Sequence, residues 1–577
     1  MTPIASLFAK AKGDWLGVGL FSCAINILML TGPLFMLQVY DRVLTSRSVP
    51  TLTVLFLLVV FLYALLGVFT FYRNRVLSRV GYRLEDSLMG TAQKRLISQS
   101  YASTDEKFRP VSDLAFMRQF ISSNGLTSFF DLPWVPIFMI VVFMMHPWLG
   151  MLTLGGVICI TLMTLLNERM SHSQLAIASE WDGYSTEFSE SARTNADAIA
   201  SMGMMGHIVS YWQKIRQKSL YHSQKASGRS EIFSSISKTT RLLLQSALLG
   251  LGGYLAIYEV ITPGTMIAAS IIGGRALAPI DQVIGNWRNF VMSRQAYKRL
   301  KRALPTQADK RQMIDLPKPT GHLKISHAYK FVRSSRDSKN IPILRGIDFE
   351  LLPGDGLGVI GPSASGKTSL VKLLTGVWTP ERGSVRLDEA TYDQWDLETL
   401  GQYVGYLPQS TALLPGTIKS NISRFDPNAA DADIIEAAKT ANVHELIMNL
   451  PGGYEAVIGQ DVFLSGGQVQ RIALARAIYK RPVLIILDEP NSNLDAEGDA
   501  ALSAAIARLR KQGSTVIVMA HRPSAIAAVN KVLVLKNGMQ TDFGEKQEVL
   551  ARAVAKRKTQ ALKNSAGIPQ IRTGTLG

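Results

Sequence analysis

The sequence predicts a two-part chain: an all-α transmembrane domain of six helices, followed by an α/β domain built around a phosphate-binding loop. Three observations carry that prediction. The apolar excess of this 577-residue chain, which is 47% hydrophobic and 18% charged, lies before Phe290. Mean hydropathy is positive, which is unusual for a soluble nucleotide-binding protein. Further on, Gly361, Pro362, Ser363, Ala364, Ser365, Gly366, Lys367 and Thr368 fit the pattern G-x-x-x-x-G-K-S/T.

A helix that crosses a bilayer needs about 20 predominantly apolar residues. Six runs qualify: Trp15–Val39, Leu52–Tyr72, Phe129–Met145, Trp148–Leu166, Leu242–Ile261 and Thr265–Ile284. A buried core helix accounts for runs of about 10–14 residues and fails for six of this length. The first run is no cleaved signal peptide, because it passes into a second span without a small-residue cleavage site. Pro33, Pro133 and Pro136 are expected to bend spans one and three, and Gly250, Gly252 and Gly253 to allow close helix packing.

Basic residues orient the spans. Arg73, Arg75, Arg79, Arg83, Lys94, Arg95, Lys107, Arg109 and Arg118 lie between spans two and three. Arg169, Arg193, Lys214, Arg216, Lys218, Lys225 and Arg229 lie between spans four and five. The short turns Met145–Trp148 and Glu259–Pro263 carry no Lys or Arg, and Arg42 and Arg47 are a weak exception. Both termini are therefore expected in the cytoplasm. The net charge of +18 sits beside membrane spans, so anionic membrane lipid, and no nucleic acid, is the expected partner. Cys23 and Cys159 fall within spans and offer no disulfide framework.

The phosphate loop follows the apolar run Leu357–Ile360 and precedes Ser369–Leu374, a strand–loop–helix context. Its glycines let backbone N–H groups close on phosphates, the helix N-terminus adds a positive dipole end, and Lys367 reaches the β- and γ-phosphates. The Thr368 hydroxyl, with Ser369 next to it, is placed to ligate Mg²⁺. Then come Leu464, Ser465, Gly466, Gly467 and Gln468, followed by Arg471 and Arg476, and the buried strand Val483–Leu487 ending in Asp488 and Glu489. A carboxylate pair or a histidine at a strand end has, alone, an ordinary structural explanation. The order and spacing of the whole set override it.

This set resembles the ATP-binding cassette (ABC) family. The resemblance implies ATP and Mg²⁺ as cofactors and ATP hydrolysis coupled to transport. By it, Asp488 holds Mg²⁺ through water, Glu489 is the general base, Gln409 in Gly405–Gln409 senses Mg²⁺ and the γ-phosphate, and His521 is the switch histidine. Ser492–Asp495 resembles the D-loop. Ser465, Gly466, Gly467 and Gln468 face the γ-phosphate bound to the opposite subunit in this family. One chain has one phosphate loop and one signature, so two complete sites need two chains, most simply a homodimer. The adenine-stacking aromatic of the family aligns with Val332, with Tyr329 or Phe331 as substitutes, and Phe331 is the expected base contact. The segment Ile458–Phe463 is one residue shorter than is common in exporters.

Short outer turns and two long inner segments resemble the type I/IV ABC exporter fold, whose spans continue into the cytoplasm and whose coupling helices dock on the ATPase domain. Coupling helices are expected near Ser112–Arg118, with Ser112 or Asp113 as cap, and near Ala196–Met205. The expected organisation is a transmembrane domain at 1–300, a linker at 301–320, an ATP-binding domain at 321–555 and a basic flexible tail at 556–577.

Asn195–Met204, Ala268–Asp281 and the Pro33–Val43 stretch are similar to the permease/ATPase of bacterial type I secretion, in particular its metalloprotease-exporter branch. The leader before Trp15 leaves no room for a peptidase-like domain. The resemblance implies export of an unfolded polypeptide across the inner membrane, with a periplasmic membrane-fusion adaptor and an outer-membrane channel as partners. Asn26, Gln38, Asp131, Gln245, Arg275 and Asp281 lie at or near membrane depth, where ionisable groups are costly and tend to face cavities. Arg275, Asp281 and Asn26 are the translocation-path candidates; the alternative is pairing with other charges or head groups at helix ends. Two rival readings are an exporter of lipid, glycan or small amphiphile, and an ATP-gated channel or regulator. Intact Lys367, Ser465, Glu489 and His521 speak against the second.

Overall fold

A computed structural model describes residues 3–99, 109–304, 316–333, 340–492, 494–520 and 526–565. His521, most of the expected linker (305–315) and the tail beyond 565 lie outside the described residues. The chain forms two compact units divided near residue 310.

The first unit is helical. α1 (Pro3–Lys10) and α2 (Lys12–Leu28) lead to α3 (Thr31–Gln38), and a π-helical turn at Val39–Val43 closes the first span. Pro33 stands in the first turn of α3, where its missing N–H costs no helical bond, so the span breaks and restarts there. α4 runs from Val49 to Gln99, 51 residues. That is ~77 Å at 1.5 Å per residue, more than twice the ~30 Å apolar core of a bilayer. α5 (Pro110–Ile121) and α6 (Asn124–Asp131) precede a 3-10 turn at Leu132–Trp134 and α7 (Val135–Met145). Pro133 and Pro136 occupy first-turn positions, of the 3-10 turn and of α7, where the third span passes from one helix into the next.

α8 (Pro147–Thr194) and α10 (Met205–Ile257) are again far longer than a bilayer is thick and pack along each other, joined through the short α9 (Ala196–Ser201). α11 (Pro263–Gly285) and α12 (Trp287–Ala303) complete the unit. Among the described residues, six helical stretches are long and apolar enough to cross a membrane. The expected fifth span, Leu242–Ile261, overruns its helix. The helix ends at Ile257 because Glu259 takes a left-handed φ of 56° and Pro263 starts the next one. A Cβ on Gly252 would stand 2.7 Å from Met266 Cγ, so this glycine does hold α10 against α11, whereas Gly250 faces open space.

The helix expected at Ser112–Arg118 is α5, but neither Ser112 nor Asp113 caps it. Pro110, with its preset φ, starts the helix instead. Asp113 turns inward and accepts two bonds from Arg299, 2.9 Å from Nε and 2.5 Å from Nη2. A carboxylate this deeply buried is stabilised by its bidentate partner, which removes it from the capping role.

Among the described residues, the second unit is built on a ten-stranded sheet, in the order β5-β4-β1-β2-β10-β9-β3-β8-β7-β6. Its strands are β1 (Leu323–Arg333), β2 (Asn340–Leu351), β3 (Gly356–Ile360), β4 (Arg382–Leu387), β5 (Ala390–Thr391), β6 (Val404–Leu407), β7 (Leu484–Asp488), β8 (Thr515–Ala520), β9 (Lys531–Lys536) and β10 (Met539–Glu545). β9, β3, β8, β7 and β6 pair in parallel, while β1, β2, β4 and β5 form an antiparallel flank. β7 and β8 are buried along their whole length, which is why they read as unbroken apolar runs rather than alternating ones. One face carries α13 (Lys367–Leu374) through Leu370, Val371, Leu373 and Leu374. The same face carries α14 (Leu397–Tyr403) through Leu400, and the other is covered by α15 (Ile418–Ile422), α16 (Asp431–Thr440), α17 (His444–Met448), α18 (Gly466–Ile478) and α19 (Ala496–Lys511). A last helix, α20, spans Lys546–Ser565, so the expected tail begins inside it.

Candidate functional site

The phosphate loop joins β3 to α13 at the C-terminal edge of the parallel strands, where ligands of open α/β sheets bind. Gly366 precedes the helix with φ 102° and Ala364 has φ 62°, both left-handed. A Cβ on Gly361 would stand 2.3 Å from the Leu535 carbonyl oxygen, so only glycine fits where the loop leaves the strand. The loop bounds a cavity of about 510 Å³ lined by Ser363 to Ser369, Gln409, Glu489 and Ile343. Lys367 Nζ donates to the carbonyls of Gly361 at 2.8 Å and Pro362 at 3.1 Å. Burial lowers the pKa of Lys367, and the carboxylates of Glu489 and Asp488 oppose that shift.

Asp488 ends β7 and is buried opposite Met519 of β8. Its charge, after burial, helps push the Tyr406 phenol up to about 12. Glu489 follows in a left-handed conformation, φ 51°, with its N–H on the Met519 carbonyl at 3.1 Å. A glutamate rarely adopts that backbone, and such strain persists where the surroundings over-determine it. The turn it makes aims the side chain into the cavity, where Gln409 Nε2 donates to Glu489 Oε2 at 3.0 Å.

Ser465 caps α18. Its Oγ accepts from Gln468 N at 3.4 Å, and Gln468 Oε1 accepts from Ser465 N at 2.8 Å. This reciprocal capping box leaves Ser465 and Gly466 exposed at a helix N-terminus, a place that favours anions. Ser465, Gly466, Gly467 and Gln468 do not line the phosphate-loop cavity of their own chain. Asp495 caps α19, accepting from Gly498 N at 2.8 Å.

Phe331 lies on β1 and is not among the cavity-lining residues; the apolar wall there is Ile343 of β2. Sequence reading passed over Ile343 because it sits in an ordinary strand. It also passed over Gln470 of α18, which donates to the Pro490 carbonyl at 2.5 Å and so ties the signature helix to the end of β7. Neither carries a spacing signal.

In the helical unit Asn26 donates to the Ser22 carbonyl and to Asp131 Oδ1, both at 2.8 Å, and Arg73 donates to the same Asp131 oxygen at 3.0 Å. The buried group joins α2, α4 and α6. Asp281 lies 3.6 Å from Arg241 of α10, whereas Arg275 is exposed, with Met29 Sδ 3.9 Å from its Nη1.

A phosphate loop with a facing strand-end carboxylate pair and a capped signature helix, carried beside six apolar spans, defines a membrane ATPase of the transporter class. The family model for the ABC transporter matches residues 344–492, and that for the ABC transporter transmembrane region matches residues 15–272. The chain is 40% identical over 559 residues, 96% of its length and 95% of the relative's, to the type I secretion system ATP-binding protein PrsD of Rhizobium meliloti (strain 1021). It is 29% identical over 542 residues, 92% of its length and 76% of the relative's, to the alpha-hemolysin translocation ATP-binding protein HlyB of Escherichia coli O157:H7. A solved bacterial Atm1-family ABC exporter with ATP bound matches 98% of this chain and 100% of its own at a TM-score of 0.75 and 20% identity, a likeness of fold. The chain belongs to the ABC transporter family, among the type I secretion ATP-binding proteins. It is a multi-pass membrane protein that binds ATP and couples its hydrolysis to transport.

Proposed function

We propose that this chain is the inner-membrane component of a type I secretion system and drives an unfolded polypeptide outward with ATP. The observation that supports the ATP-driven step most is Glu489, held in a strained turn at the mouth of the phosphate loop with Gln409 on its carboxylate, and the polypeptide cargo is supported by the secretion relatives named above. Lys367 and the backbone N–H groups of residues 363–369 hold and neutralise the β- and γ-phosphates. The Glu489 carboxylate orients the attacking water and takes up its proton. Gln409 reports the state of the γ-phosphate to the loop behind it, and His521 is the switch histidine by its resemblance to the family.

Thr368, Asp488 and Gln409 offer hydroxyl, carboxylate and amide oxygens, a hard donor set that suits Mg²⁺. Among the described residues no group of three His, Cys, Asp or Glu gathers for a metal. Mg²⁺ is commonly held by one or two protein oxygens together with substrate phosphates and water. When bound, Mg²⁺ would supply charge neutralisation between the β- and γ-phosphates.

Ser465, Gly466, Gly467 and Gln468 stand on the chain's own surface, away from its own cavity, so a second copy supplies the signature that completes each site. The ATP-binding unit works in the cytoplasm. Phe331, outside the phosphate cavity, is the base contact of this reading, and the exposed Arg275 is its translocation-path residue, whereas Asn26 pairs with Asp131 and Asp281 with Arg241 within the bundle. A periplasmic membrane-fusion adaptor, an outer-membrane channel and membrane lipid are the further partners. The test compares culture supernatants of strains with and without the gene, and ATPase activity with a C-terminal secretion-signal peptide against lipid and small amphiphiles. Loss of one or more secreted polypeptides and stimulation by the peptide are expected. An unchanged secretome with stimulation by lipid alone would overturn the reading.

A further inference from the structure

The C-terminal end of the signature helix is held by a single guanidinium. Arg424, just after α15, donates Nε to the Arg476 carbonyl at 3.0 Å and Nη2 to the Ala477 carbonyl at 2.9 Å. Its Nη1 donates to the Gly401 carbonyl at 2.6 Å and the Val404 carbonyl at 3.3 Å. The first two acceptors are in the last turn of α18, the third is in the last turn of α14, and the fourth opens β6. Carbonyls at helix ends lack intrahelical partners and carry the negative end of the dipole. One planar fork with five donors closes both ends; a lysine has no such fork.

Two further observations point the same way. Arg424 and Phe425 are consecutive non-glycine residues in the left-handed region, φ 57° and 59°. Backbone strain of this kind survives where the surroundings impose it, often with a role in the site. A Cβ on Gly405 would stand 2.2 Å from the Ala477 carbonyl oxygen, so helix end and strand are in tight contact beside the guanidinium.

We propose that Arg424 is a positioning residue for ATP hydrolysis: it locks the end of the signature helix to the strand leading to Gln409, and so sets where Ser465 and Gln409 stand relative to each other. The inference rests on the ATP-site reading above. The segment after Gln409 is tied to α18 and to α15, with Arg476 Nη1 on the Ala412 carbonyl at 3.2 Å and Asn421 paired with both the N–H and the carbonyl of Leu414 at 2.9 Å. Ser465 lies at the far end of α18, ~20 Å from the lock at 1.5 Å per residue, so a tilt of ~5° there shifts Ser465 by roughly 2 Å. Misplacement by ~1 Å can cost ~10²-fold in rate.

The test uses the full-length protein in lipid nanodiscs. Arg424→Met is expected to lower kcat at least ~10-fold while the KM for ATP and the affinity for nucleotide stay within ~2-fold and the melting temperature holds. Arg424→Lys should recover part of kcat. Lys480→Met, which removes the exposed Lys480–Asp426 pair on the same loop, should leave kcat unchanged. Spin labels at Met448→Cys and Leu352→Cys, with Cys23 and Cys159 changed to Ser and the labelled chain diluted in an excess of unlabelled chain, should give one narrow distance distribution that broadens with Arg424→Met. Unchanged kcat, a parallel loss of nucleotide affinity and melting temperature, or failure of both Arg424 variants to fold would each overturn the proposal in favour of a purely structural role. Glu489→Gln measured alongside keeps the two readings apart: retained turnover there would sink the site assignment whatever Arg424 does.

Discussion

Gln409 and Glu489 touch, the amide donating to the carboxylate across 3.0 Å, although 80 residues separate them in sequence. The contact joins the loop after β6 to the turn after β7, two neighbouring parallel strands. A change at either residue is therefore felt at the other.

Glu489→Gln keeps the shape of the side chain and removes the base. Steady-state phosphate release should fall by ~10²–10⁴-fold, the range for losing a general base, with nucleotide binding retained. Turnover near the wild-type rate would show that another group activates the water. Gln409→Ala should lower turnover by a smaller factor and weaken its response to transported polypeptide.

Gly361→Ala places a methyl group 2.3 Å from a backbone oxygen of β9, which cannot rotate away as a side chain does. The loop must shift, and ATP affinity measured by equilibrium binding should drop at least ~10-fold, the cost of ~1.4 kcal/mol. A substitution at Gly401, whose Cβ would meet nothing within 4 Å, provides the neutral comparison.

Asp131 is the shared acceptor of Asn26 and Arg73 inside the helical unit. Asp131→Ala strands a buried guanidinium and should cost ~3 kcal/mol or more, whereas replacing both ends in Arg73→Met with Asp131→Leu should restore most of it. Melting in detergent, followed by intrinsic fluorescence, distinguishes the two outcomes.

Asp355 supplies a pH test. Burial works against its ionisation, but the side chains of Lys531 and Asn530 and the Leu352 N–H outweigh it and hold its pKa below the ordinary carboxylate value. A depressed folded pKa gives stability that is present above the unfolded value of ~3.9 and is lost as pH falls through the folded pKa. Asp355→Asn should therefore melt lower than wild type at pH 7, and the gap should close below about pH 4. A gap constant down to pH 3 would mean that hydrogen bonding rather than charge sustains the site.

Six spans and the helix interruptions at Pro33 and at Pro133 and Pro136 were legible in the chain because they rest on local rules: the length of an apolar run and the missing N–H of proline. The phosphate loop, the signature and the Asp488–Glu489 pair were legible because their chemistry demands fixed residue types at short, fixed spacing. The expected cap at Ser112 or Asp113 failed for a non-local reason, the approach of Arg299 from α12. Ile343, Gln470 and Arg424 were invisible for the same reason, since each acts on residues brought to it only by the sheet and the helices over it.

By itself the sequence determined which groups bind phosphate, which carboxylates stand ready beside them and which stretches belong in a bilayer, because composition and local spacing dictate those outcomes. The tertiary structure alone decided that Gln409 meets Glu489, that Glu489 adopts a left-handed turn, that Asn26 is spent on Asp131 inside the bundle and that one arginine ties two helix ends together. Those are contacts between segments distant in sequence, and only the closing of the sheet and the packing of long helices bring their partners within hydrogen-bond reach.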